Sequence, residues 1–241
     1  MMAKTIVIIG ASRGLGDALA KGLPAVGDQV WLVARGEPRS LGRDDGVTRR
    51  WIQADLNEAD APSTIATALA DTPVDLLLYN AGIWEPTAFS DDYDFVSEDP
   101  DVLLRVLHVN LTAAVLSIHQ LLPNLMAADH ARIILTGSTS GLENVRGREV
   151  AYGASKFGLR GAAHALREQL RPHGIGVTCI NPGSMANEID YDAGVDAVRK
   201  KYGDSAVPVG DVVALVRCIA SLSPGACVKE VDLPALGDPH V

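Results

Sequence analysis

Tyr152 and Lys156 stand four places apart in AYGASK, residues 151–156, and on a helix that spacing puts both side chains on one face. A free phenol has a pKa near ~10, and a fixed cation beside it favours the phenolate and lowers that value. The pair therefore reads as a proton donor and acceptor tuned for neutral pH. Gly153, Ala154 and Ser155 between them leave room for a bound molecule against the helix. An ordinary surface helix could carry the same pair, so the rest of the chain must supply a reason for it. Upstream, RIILTGSTSG (132–141) ends an apolar run in a hydroxyl-rich turn. Ser138 and Ser140 compete there for a role beyond turn formation.

A second constellation lies at the start of the chain. In IVIIGASRGLG (6–16), Gly10, Gly14 and Gly16 stand between an apolar run and a helical pattern. Glycine at a strand exit permits a tight turn, and the later glycines let backbone N–H groups and the helix N-terminus approach a pyrophosphate. The spacing is G-x-x-x-G-x-G, with Arg13 just before the second glycine. With the Tyr-x-x-x-Lys pair, this resembles the short-chain dehydrogenase/reductase family. The resemblance implies a Rossmann-type fold, a nicotinamide dinucleotide, and Ser12, Arg13 and Leu15 among the cofactor contacts of the turn.

The next apolar run ends WLVARG, with no Asp or Glu to accept bonds from a ribose 2'-hydroxyl; Arg35 stands there instead. A cation at that point favours a 2'-phosphate, and Arg13 completes a two-arginine clamp, so NADP(H) is expected over NAD(H). By the same resemblance Asp55 and Leu56 of ADL meet the adenine, although Asp55 alone would serve as a helix cap. Asn80, Ala81 and Gly82 form the cofactor floor. Ser138, three places before Gly141, matches the serine that holds the substrate carbonyl oxygen beside the tyrosine, and Lys156 would also hold the nicotinamide ribose. Asn110 matches a fourth catalytic member that supports a water linking the lysine to solvent; bonding a neighbouring backbone is its structural alternative. Pro182 and Gly183 match the turn beside the nicotinamide, with Met185 also expected to touch the cofactor. Asn187 stands where a threonine is common, which changes that contact.

The expected reaction is hydride transfer between the nicotinamide and a carbonyl carbon, with Tyr152 supplying or taking the proton and Ser138 stabilising the oxyanion. A carrier-linked 3-oxoacyl substrate is one alternative, with Arg146, Arg148, Arg199, Lys200 and Lys201 as its docking groups. A non-catalytic sensor of the NADP pool is another. Substrate-pocket walls are expected from Ile83 and Trp84, from residues 142–148 and from residues 184–202, with Trp84, Met185 and Tyr191 as candidates. The segment EPTAFSDDYDFVSEDPD (85–101) concentrates acidic groups and reads as a solvated connection with Asp99 at a helix N-cap, or as part of a substrate entrance.

These residues need a scaffold. Apolar, β-branched runs at 5–9, 29–33, 50–54, 74–79, 131–136, 174–180 and 228–231 predict seven strands, nearly all buried on both faces. Helical spacing predicts helices at 14–26, 59–70, 100–128, 150–171 and 209–222. The alternation gives an α/β fold, a doubly wound parallel sheet of about seven strands with helices on both faces. With 241 residues, 47% of them apolar, the chain is expected to form one domain over 1–241. A net charge of −9 argues against nucleic acid as partner, and the early apolar run, ended by Gly10, is too short for a signal or a membrane span. Three scattered cysteines read as reduced thiols in a cytoplasmic protein, and the six histidines, His108, His119, His130, His164, His173 and His240, make no metal-ligand spacing. A small-molecule substrate, no metal, and a homodimer or homotetramer packed through the helices from Pro100 and Val150 complete the expectation.

Overall fold

In a computed structural model, which describes residues 3–143 and 147–238, the strands are β1 (Thr5–Ile9), β2 (Gln29–Ala34), β3 (Thr48–Gln53), β4 (Leu76–Tyr79), β5 (Arg132–Thr136), β6 (Gly176–Pro182) and β7 (Glu230–Leu233). They form one sheet in the order β3-β2-β1-β4-β5-β6-β7, every neighbouring pair parallel. Among the expected positions, Arg146 and His240 lie outside the described residues.

The helices are α1 (Gly14–Gly22), α2 (Ala61–Leu69), α3 (Pro100–Leu107), α4 (Ala113–Gln120), α5 (Leu122–Met126), α6 (Val150–Leu170), α7 (Gly194–Tyr202) and α8 (Val209–Ser221). Strand side chains alternate between two apolar layers, as a period of two requires. Val7, Ile9, Leu77 and Leu135 meet α2, α4 and α6 on one face. Ile6, Ile8, Leu78 and Ile134 meet α1 and α8 on the other. Burying each such side chain contributes about 1.5–3 kcal/mol, and this double covering is why the central strands read as unbroken apolar runs. β3 is an edge strand and alternates exposed with covered positions.

Three expectations needed correction. The single helix at 100–128 is broken: residues His108–Thr112 form a π-helical turn, and Pro123 opens the short α5 after Leu121. The last strand starts at Glu230 rather than 228, because Asn181 on β6 donates to Glu230 (2.6 Å) and Asp232 (2.8 Å) and so draws these acidic residues into the sheet edge. The 184–202 segment contains α7, whose Val198 packs on Ala186 and Ala206 in a small cluster of its own. By length and composition, Pro100–Gln120 is apolar enough to cross a membrane; here Val109, Ala113, Ala114 and Ile118 pack into the core, α4 against α2 and α3 against α6, while Leu104, Val115 and Leu116 stay exposed.

Candidate active site

β1 runs into α1 on one face of the sheet and β4 leads toward α3 and α4 on the other, so their carboxyl ends part and leave a crevice. A cleft of about 630 Å³ opens there. Of the expected cofactor residues, Gly10, Ser12, Arg13, Gly14, Leu15, Arg35, Asp55, Leu56, Asn80, Ala81, Gly82, Tyr152, Lys156 and Met185 line it. Gly16, Pro182 and Gly183 do not; Gly16 packs under the turn against Gly10, and Pro182 closes β6.

Gly10 has φ +90°, and a Cβ there would lie 2.6 Å from the Ala81 nitrogen. Only glycine lets the exits of β1 and β4 touch in this way. Asn80 stitches the contact, donating from Nδ2 to the Gly10 carbonyl (3.1 Å) and accepting from the Thr136 hydroxyl on β5 (3.2 Å). Gly14 has φ +55° and lies under Asn187, whose Oδ1 accepts the Leu15 N–H (3.1 Å) at the start of α1. Asn187 thus caps the helix end that faces the cleft. No composition signal pointed to that contact beyond the unusual residue type at this position. The 184–192 segment is also tied across the cleft by Lys21 to Asp190 (2.8 Å) and Arg43 to Asp192 (2.7 Å).

At the other end of the cleft Arg13, Arg35 and Arg39 are exposed, and among the described residues none forms an ion pair. Arg39 was not foreseen, because it sits in an irregular connection with no periodicity to place it. Asp55 accepts from the Asn57 N–H (3.0 Å) and Nδ2 (2.7 Å) in a local turn; the helix begins at Ala61, so Asp55 is not its cap.

Tyr152 and Lys156 share the inner face of α6. Ser138, at the start of the turn after β5, stands beside the Tyr152 side chain and favours its phenolate, and its Oγ accepts the Ser140 N–H (3.1 Å). That makes Ser138, not Ser140, the serine beside the tyrosine. Lys156 is buried, donates to the Thr136 carbonyl (2.9 Å) and lies 5.5 Å from the centre of the Tyr152 ring. Burial pulls its pKa down to about 8, and burial pushes the Tyr152 phenol above its ordinary value, against the effect of Ser138 and with the added charge of Glu149 and Glu85. The Tyr152 phenol therefore stands above its ordinary value, not below it as expected, because desolvation outweighs the interaction with Ser138.

Asn110 is fully buried in the π-helical turn and exchanges two bonds with Ile83, accepting its N–H (2.8 Å) and donating to its carbonyl (2.8 Å). It also donates to Ser155 (3.0 Å), so its side chain takes the structural alternative and locks α6 to this turn. Ser155 is used in that lock, and the cleft lining takes Tyr152 and Lys156 from this stretch of α6. Trp84 and Phe89 stand edge-on to the Tyr152 ring at 6.4 and 5.2 Å between centres.

The sheet order, the glycine turn and the Ser138–Tyr152–Lys156 arrangement define a doubly wound α/β protein with a polar reaction centre at its switch point. A family model described as short chain dehydrogenase matches residues 4–196. Protein FixR of Bradyrhizobium diazoefficiens is 31% identical over 99% of this chain and 87% of its own length. A 3-oxoacyl-[acyl-carrier-protein] reductase, FabG, of Aggregatibacter actinomycetemcomitans is 32% identical over 83% of this chain and 84% of its own. Among solved structures, a metagenomic short-chain oxidoreductase in complex with NADP is 29% identical, with 96% of each chain covered and a TM-score of 0.72. The 3-oxoacyl-[acyl-carrier protein] reductase of Brucella melitensis in complex with NAD, at 22% identity, shares the fold with a TM-score of 0.78 over 96% of each chain. The chain belongs to the short-chain dehydrogenase family and is an oxidoreductase of that family.

Proposed function

We propose that the protein interconverts a small ketone or aldehyde with its alcohol, using NADP(H). The observation that carries this reading is Tyr152 standing over a buried lysine, 5.5 Å from its ammonium and beside Ser138, in a cleft floored by the glycine turn. The residues fit a dinucleotide. The glycine turn and the N-terminus of α1 line the cleft, a place suited to a pyrophosphate, and three arginines without ion-pair partners among the described residues face the end where a 2'-phosphate would lie.

When bound, the nicotinamide supplies or accepts the hydride at the carbonyl carbon. Ser138 donates to the carbonyl oxygen and holds it within reach of the Tyr152 hydroxyl. Because burial keeps Tyr152 protonated, the proton is present when the carbonyl arrives, and it passes to the oxygen as negative charge develops there. The phenolate left behind faces the Lys156 ammonium, which is charged at pH 7 because its pKa is about 8. In alcohol oxidation the same groups act in reverse. Asn110 acts indirectly, by fixing Ile83 and Ser155 around the lysine.

A carrier-linked 3-oxoacyl substrate is the second reading, favoured by the resemblance to FabG. The proposed basic docking groups give it little support: Lys201 pairs with Glu188 (2.8 Å), and Arg148 donates to the Ser90 carbonyl (2.9 Å). The intact Ser138, Tyr152 and Lys156 argue against a non-catalytic sensor. Three free thiols suit the reducing cytoplasm. The exposed Leu104, Leu116 and Phe157 on α3, α4 and α6 suit a homodimer across those helices.

The test is NADPH oxidation by the parent protein and Tyr152→Phe across ketones, aldehydes, diketones and quinones. Loss of roughly 10²–10⁴ in kcat with unchanged NADPH affinity is expected; equal activity in both proteins refutes the assigned acid.

A further inference from the structure

The acidic segment after Trp84 is not a uniformly solvated connection. Glu85 is fully buried, although carboxylates almost never are unless they are partnered. Its Oε1 accepts the N–H of Ala151 (3.0 Å) and of Tyr152 (3.2 Å) in the first turn of α6, and the Tyr93 hydroxyl lies 3.5 Å away. Tyr93 in turn accepts the Val150 N–H (3.0 Å). The first turn of any helix has N–H groups without intrahelical partners; here no residue of the helix supplies a cap, and Glu149 at the N-cap position makes no capping bond. A carboxylate 65 positions upstream of Val150 does that work instead, and its Oε2 is buried with no partner.

We propose that Glu85 is a positioning residue for the reaction: its buried carboxylate seats residues 83–93 on the N-terminus of α6 and thereby fixes Tyr152 against Ser138 and between Trp84 and Phe89. The inference rests on the assignment of Tyr152 as proton donor. Glu85 bonds the backbone of the very residue that carries the proton, so a shift of this anchor moves the phenol directly. The loop it holds is itself constrained: Phe89 has φ +64°, unusual for a bulky residue, and is kept there by its N–H bond to Glu149 (2.9 Å).

The second consequence is electrostatic. The groups facing Tyr152 are Lys156 from α6, Ser138 from the turn after β5, Glu149 from the residue preceding α6, and Glu85 and Tyr93 from the 83–93 loop. Arg148, next to Glu149, is directed to the Ser90 carbonyl. Glu149 and Glu85 both add negative charge beside the phenol and favour its protonated form. Removing one of these charges moves Tyr152 ionisation to lower pH.

Glu85→Gln keeps an oxygen for the two N–H groups and removes the charge, whereas Glu85→Ala removes both. Tyrosine ring ¹³C NMR titration of the intact protein, with Tyr152→Phe assigning the resonance, reads Tyr152 ionisation directly; kcat for carbonyl reduction against pH reads it in turnover. In Glu85→Gln, the ionisation and the alkaline fall of kcat should both move to lower pH, with unchanged affinity for NADPH. Glu85→Ala should lose at least about tenfold in kcat through displacement of the tyrosine, largely recovered in the Gln variant. A Glu85→Ala variant that keeps the parent's kcat, or a Glu85→Gln variant that loses as much as Glu85→Ala, overturns the proposal, even if its stability is lower. If Tyr152→Phe retains full activity, the functional assignment fails while the NMR titration still decides whether Glu85 governs Tyr152.

Discussion

Replacing Arg35 by serine should weaken NADPH binding and leave NADH binding as it is. A 2'-phosphate carries about −1.5 to −2 charges at neutral pH, and hydrogen bonds to charged groups contribute about 1.5–3 kcal/mol when sheltered. Arg35 and Arg13 are both exposed on the cleft rim, where water and salt screen them, so about 1–2 kcal/mol each is the reasonable magnitude. At 1.4 kcal/mol per factor of ten, Arg35→Ser should raise the NADPH Kd roughly 5- to 30-fold. Arg13→Ser with Arg35→Ser should approach a hundredfold or more if the two act independently. Fluorescence titration with NADPH and NADH at low and high ionic strength measures all of this. The parent should prefer NADPH, and that preference should shrink with salt and nearly vanish in the double variant. An equal loss for both cofactors, or an unchanged ratio, refutes the arginine clamp and leaves Arg13 and Arg35 as solvated surface charges.

The remaining expectations concern stability. Lys156 is held at about 8, below its ordinary 10.5, so between those values the unfolded chain binds the proton and the folded chain does not. The group's contribution to stability therefore rises with pH through that window, and its penalty of a few kcal/mol is fully present below pH 8. Lys156→Met should unfold at higher denaturant than the parent at pH 7, with the gap closing toward pH 10, as measured by urea titrations; a constant gap contradicts the buried-cation argument. Gly10→Ala places a methyl 2.6 Å from the Ala81 nitrogen at φ +90°. It should cost about 2–4 kcal/mol and lower Tm by roughly 5–10 °C by calorimetry, and an unchanged Tm would show that the β1 and β4 exits can part freely.

How much of this was legible in advance follows from the range of the interactions. β1, β2 and β5 were readable because a strand covered on both faces must be apolar along its length, a property carried by consecutive residues. The Tyr152–Lys156 face is likewise local, since four residues make one helical turn. The end of β7 was not, because Glu230 and Asp232 are polar and join the sheet through Asn181, 49 and 51 residues away. The break at Asn110 escaped too: Asn110 pairs with Ile83, on a segment that chain patterning cannot bring beside it.

Sequence by itself determined the sheet, the glycine turn under a dinucleotide-sized cleft, and the presence of a tyrosine, a lysine and a strand-end serine in the right order. The sheet and the turn follow from periodicity and φ tolerance, and the order of serine, tyrosine and lysine gains its meaning from the resemblance to the family. Tertiary structure alone decided which serine meets the tyrosine, that Asn187 caps α1, and that the acidic stretch contributes a buried carboxylate to the N-terminus of α6. It also reversed the sign of the Tyr152 shift. Proximity of a cation is visible in five consecutive letters, but desolvation is a sum over everything that packs around the group, and that sum exists only once the chain has folded.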